Sequence, residues 1–388
     1  MNFKSLNKFC FLYLLYNCHL WFTLIYFPPY ANKCGISNIG LGSILSVYNI
    51  ISLIFMIPFG ILTDKFGSKK IMNAGVVLLI IWVILVAFCS DFYCFLAGYF
   101  FGGIGTVLFL ISLNSAFYSS INISNSKKYI TYFYTASTLG FMLGPFIGSY
   151  LVKYLKYETA FKIDILNLLF MLALIVKTEM PKQLYFRFSD YLKDFNLKTF
   201  ILILLTIIFY SHYGTEQTSY TLLMQKKLDF SDLQVGNVFV VLGLWISIVT
   251  LIVGKLSKAK YLILIYCFGV MTSGLFQFAT GLSNNYFDFL IYRVLHTLGD
   301  AICMLMLGLI VSLVFDKSRM GFSFGFFLMA QLIASIPFSY ISGILSRNGN
   351  YSTPFFFNAF FMIGSSIFVI IFRKKIRKIF GFDSQPAE

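Results

Sequence analysis

Charged side chains are scarce in this sequence. Only 12% of the 388 residues are charged and 59% are apolar, whereas about 25% of a soluble globular protein is charged. The mean hydropathy of +0.81 agrees with that imbalance. This composition excludes a soluble fold. Because a helix needs about 20 apolar residues to cross a hydrocarbon core about 30 Å thick, the chain has room for roughly a dozen crossings and no sizeable soluble domain.

The sequence also lacks the spacings of common cofactor sites. Its seven cysteines form no CxxC and no Cys/His pattern, so they imply neither a metal site nor a disulfide framework. Four of them lie inside apolar runs and are interpreted as small hydrophobes: Cys10, Cys18, Cys267 and Cys303. The other three could meet near one membrane face, although the sequence does not fix their distances: Cys34, Cys89 and Cys94. No glycine-rich phosphate loop occurs, which disfavours an ATP-driven pump, and we expect no cofactor and no metal.

The charge balance is strongly basic, with 30 Lys and Arg against 15 Asp and Glu. In a membrane chain this excess indicates topology rather than nucleic-acid binding, since Lys and Arg accumulate in cytoplasmic loops. With the N-terminus inside, 22 of the 30 basic residues fall in the predicted cytoplasmic segments and seven in the outer ones. We therefore expect both termini in the cytoplasm. The many Lys, Asn, Ile, Phe and Tyr hint at an AT-rich bacterial genome and hence an inner membrane.

Twelve long apolar runs predict twelve transmembrane helices in an all-α membrane protein. The first six runs lie at about 9–28, 39–62, 71–90, 92–118, 129–152 and 160–177. After a polar stretch, six more lie at about 199–222, 233–254, 261–281, 287–314, 320–345 and 353–372. The run after Lys4 and Lys8 is interpreted as the first crossing, because no signal-peptide cleavage site follows it. The predicted parts are an N-terminal six-helix half at 1–178, a cytoplasmic linker at 179–198, a C-terminal half at 199–373 and a cytoplasmic tail at 374–388.

The two halves repeat at an offset of 194 residues. This single offset aligns the boundary runs and five residue pairs: Gly42 with Gly236, Gly60 with Gly254, Leu62 with Leu256, Gly75 with Gly269 and Gly105 with Gly299. Parallel six-helix repeats occur in a large class of secondary transporters, in which the substrate site lies near the bilayer midplane. The repeat therefore predicts two six-helix pseudo-repeats around a central site.

The loop after the second run carries a specific motif. Its spacing of Gly60, Asp64, Gly67, Lys69 and Lys70 resembles the loop signature of the major facilitator superfamily. The resemblance implies the fold of that superfamily. It also implies that Asp64 holds the two halves together on the cytoplasmic side, against the start of helix 11 near Arg319.

Two other stretches resemble the same superfamily. The spacing of Gly140, Gly144, Pro145 and Gly148 is similar to a helix 5 signature associated with exporters, although a plain helix-packing motif explains it as well. In helix 4 the glycine spacing of another signature is present, but Tyr99 stands where that signature has Arg. At the repeat offset Tyr99 falls on Arg293, so the second half carries the Arg.

Six polar residues inside the apolar runs are the candidate site. On helix 10, Arg293, His296 and Asp300 share one face, and on helix 7 Glu216 follows His212 by four residues. His19 of helix 1 is the sixth. Ionisable residues at membrane depth are tolerated mainly in cavities or beside partners. We expect a central cavity in which these residues contact solute or protons. In the alternative, Arg293 and Asp300 form a structural ion pair and each His is a packing residue.

The combined patterns favour a transporter over an enzyme. Gly321, Ser323 and Gly325 match the spacing of a hydrolase nucleophile elbow, but they open a membrane helix instead of ending a strand. Our first hypothesis is proton-coupled export of a small solute by alternating access. Uptake by symport or facilitated diffusion is the alternative, and a non-transporting sensor or scaffold is a third. The expected partners are a small solute, protons and the lipid bilayer, with no nucleic acid and a monomeric state.

Overall fold

The computed structural model describes residues 3–122, 125–180, 188–346 and 349–382, and that part of the chain contains helices and no strand. The helices follow one another in this order: α1 (Phe3–Lys33), α2 (Asn38–Phe66), α3 (Ser68–Phe88), α4 (Phe92–Ser120), α5 (Ser126–Val176), α6 (Phe188–Tyr191), α7 (Leu197–Leu222), α8 (Asp232–Leu256), α9 (Leu262–Gly281), α10 (Tyr286–Val314), α11 (Met320–Leu345) and α12 (Thr353–Phe380). A π-helical turn, Leu223–Lys227, extends α7.

Eleven of the described helices are long and apolar enough to cross a membrane. One of them, α5, has 51 residues and would be about 75 Å long if straight, far more than one crossing needs. Its backbone is non-helical at Lys156, where φ is 65°. This break divides α5 into two crossings, which correspond to the predicted runs at 129–152 and 160–177. The prediction of twelve transmembrane helices is confirmed in this form.

Helix boundaries recur at the repeat offset. Helix α4 begins at Phe92 and α10 at Tyr286, 194 residues later, and both have 29 residues. The capping residues recur as well. Ser37 and Ser231 accept hydrogen bonds from the first turns of α2 and α8, while Asp91 and Asn285 do so for α4 and α10.

Two of the repeated glycine pairs explain how neighbouring helices pack. A Cβ atom at Gly75 of α3 or at Gly105 of α4 would lie within 3 Å of the other helix's backbone. In α9 and α10, Gly269 and Gly299 make the same kind of approach. Small residues allow this close contact between membrane helices. By contrast, Gly42 has no atom within 4 Å of such a Cβ, so its match in the repeat has no packing reason.

The chain forms two compact units whose boundaries differ from those of the sequence halves. Unit 1 comprises Met1–Asn122, Ala136–Leu192 and Asp316–Met329, and unit 2 comprises Ile123–Thr135, Lys193–Phe315 and Ala330–Glu388. The starts of α5 and α11 are therefore exchanged. Part of the predicted linker, 181–187, lies outside the described residues, and the predicted tail is helical as far as Phe380.

The expectation of no disulfide is wrong, whereas the expectation that Cys89 and Cys94 could meet is confirmed. Cys89 at the end of α3 and Cys94 in the first turn of α4 form a disulfide, with their Cα atoms 6.2 Å apart. The spacing shows no recognised pattern, but the short connection between α3 and α4 brings the two thiols together. Cys34 is free.

Candidate functional site

The charged stripe of α10 lies inside unit 2. Arg293, His296 and Asp300 are buried, with residue exposures of 3%, 0% and 4%. They face His212 and Glu216 of α7, which is the helix expected from the sequence. The structure thus brings together five of the six predicted site residues.

Arg293 is held by contacts from two neighbouring helices and the ring of Tyr220. Its Nη1 atom lies 2.7 Å from Oε1 of Glu216 and donates a hydrogen bond of 3.0 Å to Oε1 of Gln277. Its guanidinium carbon lies 4.5 Å from the centroid of the Tyr220 ring, a cation–π contact. The ion pair of Arg293 is therefore with Glu216 rather than with Asp300, which corrects the alternative interpretation from the sequence. Arg293 thus pairs with an acid of α7, whereas the sequence had suggested an acid of its own helix, α10.

The two histidines of unit 2 have a defined proton on one ring nitrogen. Nδ1 of His212 lies 2.5 Å from the carbonyl oxygen of Phe209, and Nδ1 of His296 lies 2.8 Å from that of Ser273. A carbonyl oxygen only accepts hydrogen bonds, so both Nδ1 atoms carry the proton. The hydroxyl of Ser273 donates in turn to Oδ1 of Asp300 at 2.8 Å.

The remaining ring nitrogens point at carboxylates. Nε2 of His296 lies 3.1 Å from Oε1 of Glu216 and 3.1 Å from Oδ2 of Asp300, and Nε2 of His212 lies 3.6 Å from Oδ1 of Asp300. In neutral imidazoles these Nε2 atoms would be acceptors facing acceptors. Such an arrangement is unfavourable in a buried site. It becomes favourable when a proton on Nε2 makes His296 an imidazolium that donates to both acids.

The same atoms resemble a cation site. The ring nitrogens of His212 and His296 and an oxygen of Glu216 lie within 4.8 Å of one another. However, the guanidinium of Arg293 already lies against that Glu216 oxygen, which disfavours a metal ion there. With one Arg and two carboxylates, a single added proton makes the cluster neutral. Proton binding is therefore the chemistry that this arrangement supports best.

The sixth predicted residue, His19, has its partner in unit 1. Its Nδ1 atom lies 2.6 Å from Oδ2 of Asp164 in the second crossing of α5, after the break at Lys156. Both residues are buried. Sequence reasoning did not select Asp164. The signal was present, since Asp164 is the only acidic residue in the apolar run at 160–177. At the repeat offset it corresponds to Asn358.

The loop motif positions a carboxylate at a helix start. Asp64 of α2 accepts hydrogen bonds from the backbone N–H groups of Gly321 and Phe322 at 2.8 and 2.9 Å, in the first turn of α11. Negative charge is stabilised there because those N–H groups lack partners within the helix. Gly60 and Gly321 permit this approach, since a Cβ atom on either would meet the other's carbonyl oxygen. All these contacts lie inside unit 1.

The basic end of the motif and its turn have separate functions. Gly67 has a φ of 87°, which glycine adopts without strain, and it reverses the chain between α2 and α3. Nζ of Lys69 donates to the carbonyl oxygen of Val176 at 2.7 Å, at the end of α5. Lys70 follows in the first turn of α3.

The helix 5 motif packs α5 against α1. A Cβ atom at Gly140 would meet Leu14, Asn17 and Cys18, and one at Gly144 would meet the backbone of Cys18. One at Gly148 would meet the rings of Phe22 and Tyr26. The carbonyl oxygen of Pro145 accepts a hydrogen bond from Tyr26 at 2.8 Å. These contacts give the motif a packing function in unit 1.

A bundle of apolar helices in two repeats, with ionisable side chains buried among them, defines a polytopic membrane protein of the transporter type. The sequence profile described as Major Facilitator Superfamily matches residues 9–279 and 202–381. The chain belongs to the Major Facilitator Superfamily, as the loop motif predicted.

Curated relatives are also transporters by name. The chain is 30% identical over 173 residues to "Uncharacterized transporter BU466" of Buchnera aphidicola subsp. Acyrthosiphon pisum (strain APS), covering 42% of this chain and 43% of that protein. It is 29% identical over 122 residues to "Uncharacterized MFS-type transporter MJ1560" of Methanocaldococcus jannaschii, covering 31% of this chain and 32% of the relative. The matched segments thus span less than half the length of these relatives.

Solved structures share the fold. The human organic anion transporter MFSD10 (TETRAN) superposes with a TM-score of 0.81 at 15% identity, covering 94% of this chain and 98% of that one. A variant of the E. coli fucose:proton symporter FucP superposes with a TM-score of 0.74 at 16% identity, covering 95% and 98%. At these identities the similarity concerns the fold alone.

Proposed function

We propose that this protein is a secondary transporter that exports a small solute in exchange for protons, and that the cluster around Asp300 in unit 2 is its proton site. The observation that carries the proposal is the convergence of Nε2 of His296 on Glu216 and Asp300. Two carboxylates and a ring nitrogen at these distances need a shared positive charge. A proton supplies it with no other component.

The cluster gives proton binding a structural consequence. With the proton bound, the imidazolium of His296 joins α10 to Glu216 of α7. When the proton leaves, the nitrogen lone pair and two carboxylates repel one another. Glu216 then retains Arg293, whereas Asp300 retains the hydroxyl of Ser273. Alternating access requires such a change in the preferred state, because a ligand shifts an equilibrium only through different affinity for its two states.

The solute is expected beside the same residues. Glu216 is the most accessible member, with 16% of its side chain exposed, while the rest are buried. A solute that contacts Glu216 competes with His296 and Arg293 for that acid, so solute and proton would bind in exchange. The helix 5 resemblance to exporters supports the outward direction. Uptake by symport uses the same cluster with the opposite linkage.

Proton movement in reconstituted vesicles tests the proposal. Vesicles containing a trapped pH-sensitive dye and the purified protein are exposed to a panel of organic anions, cations and neutral solutes. Coupled transport is expected to change the internal pH with at least one of them. Asp300→Asn should abolish this change while solute exchange without a gradient persists.

Asp288→Asn is the matched control, because Asp288 lies at the exposed start of the same helix and pairs with Asn285. It should retain coupling. A solute flux that is indifferent to an imposed or collapsed pH gradient contradicts proton coupling. Loss in Glu216→Gln with full coupling in Asp300→Asn moves the proton site to α7. The sign of the pH change distinguishes exchange from symport.

A further inference from the structure

The pair formed by His19 and Asp164 contains a shared proton. Nδ1 of His19 and Oδ2 of Asp164 are 2.6 Å apart, which requires a proton between them. Nδ2 of Asn167 donates to the other carboxylate oxygen at 3.3 Å. Asp164 therefore has partners on both oxygens. The pair lies wholly in unit 1, and His19 is fully buried.

The second ring nitrogen of His19 has no partner. Nε2 is buried and makes no hydrogen bond to any residue that the structure describes. An N–H group in that place would leave a donor unsatisfied, at a cost of about 1–3 kcal/mol, so the nitrogen carries a lone pair in this state. A buried ionisable pair that served packing alone would not need an open basic atom. An intramembrane ionisable residue with such an atom points to a functional site.

We propose that His19 and Asp164 form a second proton-binding site, at which a proton from water adds to Nε2 of His19. The lone pair of Nε2 forms the new N–H bond, the O–H bond of a hydronium ion breaks, and its electron pair leaves with the released water molecule. The product is an imidazolium that stays paired with the Asp164 carboxylate. Because Nε2 is buried here, the proton reaches it only in a state of unit 1 that admits water.

Among the groups around Nε2 of His19, Asp164 is the one whose charge affects the proton affinity of that nitrogen. On α1, Tyr16 lies 6.4 Å from His19 between ring centroids, and Cys18 precedes His19 in the chain. On α3, the Trp82 ring meets the imidazole edge-on at 5.4 Å. On α2 and α4, the rings of residues 48 and 99 pack against Trp82. Phenols and thiols are neutral near pH 7. Asp164 is therefore the charged group among these described neighbours.

This site is independent of the proposed function in unit 2. At the repeat offset Asp164 corresponds to Asn358, whose amide donates to Ser211 and cannot titrate. Unit 2 therefore has no copy of this pair. A cycle that empties both sites would move two protons, whereas the unit 2 cluster alone would move one.

Histidine NMR tests the site directly, since the chain has three histidines. Protein labelled with ¹⁵N-histidine in lipid nanodiscs is titrated from about pH 4 to about pH 9, a range that brackets ordinary histidine titration. One imidazole is expected to titrate reversibly and to be absent in His19→Gln. Its midpoint should fall by about one pH unit or more in Asp164→Asn, because the carboxylate that stabilises the imidazolium is gone. It should not move in Asp300→Asn.

Trp82 fluorescence provides a second measurement that keeps His19 and Asp164 intact. With Trp21 and Trp245 replaced by Phe, the Trp82 indole reports on His19, since a protonated imidazole quenches indole emission. Quenching as the pH falls, with the same midpoint as the NMR signal, supports the site. A His19 signal that stays in one protonation state, or a midpoint unchanged by Asp164→Asn, overturns it. A midpoint that moves only with Asp300→Asn overturns the independence of the two sites while leaving the unit 2 proposal standing.

Discussion

Equivalent positions of the repeat carry different side chains in α4 of unit 1 and α10 of unit 2. On α10 the buried face of unit 2 carries Arg293, His296 and Asp300. The positions 194 residues earlier, on α4 of unit 1, are uncharged: Tyr99, Gly102 and Thr106. Helices α4 and α10 nevertheless have equal lengths, equivalent caps and the same glycine contact with the preceding helix. The repeat therefore preserves the frame while the ionisable groups are free to differ.

The space that the His296 imidazole would need in unit 1 holds an indole. A Cβ atom at Gly102 would collide with the Trp82 ring, and that ring also packs on Tyr99. The ionisable pair of unit 1 lies instead between α1 and α5, at His19 and Asp164. The positions of the buried ionisable residues therefore differ between the two units and do not obey the repeat.

The largest expected effect separates the two units at positions 99 and 293. Arg293→Gln removes the cation that pairs with Glu216, so the buried Glu216 carboxylate loses its compensating charge. The protein should be destabilised by about 3–5 kcal/mol. Tyr99→Phe removes a buried hydroxyl that has no hydrogen-bond partner among the described residues, so it should not destabilise the protein. Thermal unfolding in detergent measures both. The double variant Arg293→Gln/Glu216→Gln should recover much of the loss, and equal losses in the single and double variants would exclude the ion pair as the cause.

A smaller effect is expected where Trp82 covers Gly102. Gly102→Ala forces the indole to move and should destabilise the fold by about 1–3 kcal/mol. Gly364→Ala in α12 is the matched control, because a Cβ atom there meets nothing within 4 Å and alanine favours the helix. The shift in unfolding temperature should therefore be large and downward for Gly102→Ala only. Similar shifts for the two variants would show that backbone propensity, not the indole, sets the cost.

The loop motif should have a modest effect on stability and a larger one on transport. Asp64→Asn keeps only one of the two oxygens that accept from α11, because the amide NH2 group cannot accept the second backbone N–H. It also loses the charge at the start of α11, which by itself is worth about 0.3–1 kcal/mol. Transport should fall while solute affinity, measured by stabilisation against heat, is largely kept. Parallel loss of affinity and transport would place Asp64 in solute binding or folding instead. Lys127→Met tests the corresponding contact of unit 2, where Nζ donates to the carbonyl oxygens of Lys255 and Ser257.

The smallest effect concerns acid sensitivity at Asp316, between α10 and α11. Partial burial raises the pKa of its carboxyl, but hydrogen bonds from Ser318 and the nearby Arg319 hold that pKa below its ordinary value. Asp316 therefore stabilises the fold above the unfolded pKa of about 3.9, and this contribution is lost as the pH falls through the folded pKa. Asn122 occupies the equivalent place in the repeat and does not titrate.

Asp316→Asn should lower the unfolding temperature slightly at pH 7 and make no difference well below about pH 3. Unfolding curves at several pH values measure this. An undiminished difference in strong acid would mean that the side chain acts through its shape rather than its charge.

Hydropathy and spacing predicted most of the fold. Each predicted run overlaps an observed helix, and the offset of 194 reappears in the caps Ser37 and Ser231. These features depend on local chain chemistry, which the sequence contains. The single break at Lys156 was not predicted in detail, because no Gly or Pro marks it. The disulfide was missed because a five-residue separation matches no recognised framework.

The candidate site was predicted less completely. Helical spacing placed Arg293, His296 and Asp300 on one face, since that relation is internal to α10. The choice of Glu216 over Asp300 as the partner of Arg293 depends on how α7 and α10 pack, which periodicity does not specify. Asp164 is distant from His19 in sequence, and no repeat partner suggested the contact.

The exchanged chain segments limit how the protein can be divided into fragments. A fragment ending before α7 keeps Asp64 and Gly60 but lacks residues 316–329, whose backbone occupies the surface beside them. A fragment starting at α7 keeps Gly254 but lacks Thr131, which fills the space against it. The first fragment made alone therefore lacks the two N–H donors of the Asp64 carboxylate, and the second lacks that acceptor at the start of α11 and leaves Gly254 uncovered. Complementation requires both fragments to be synthesised together, so that each receives its missing segment before either aggregates.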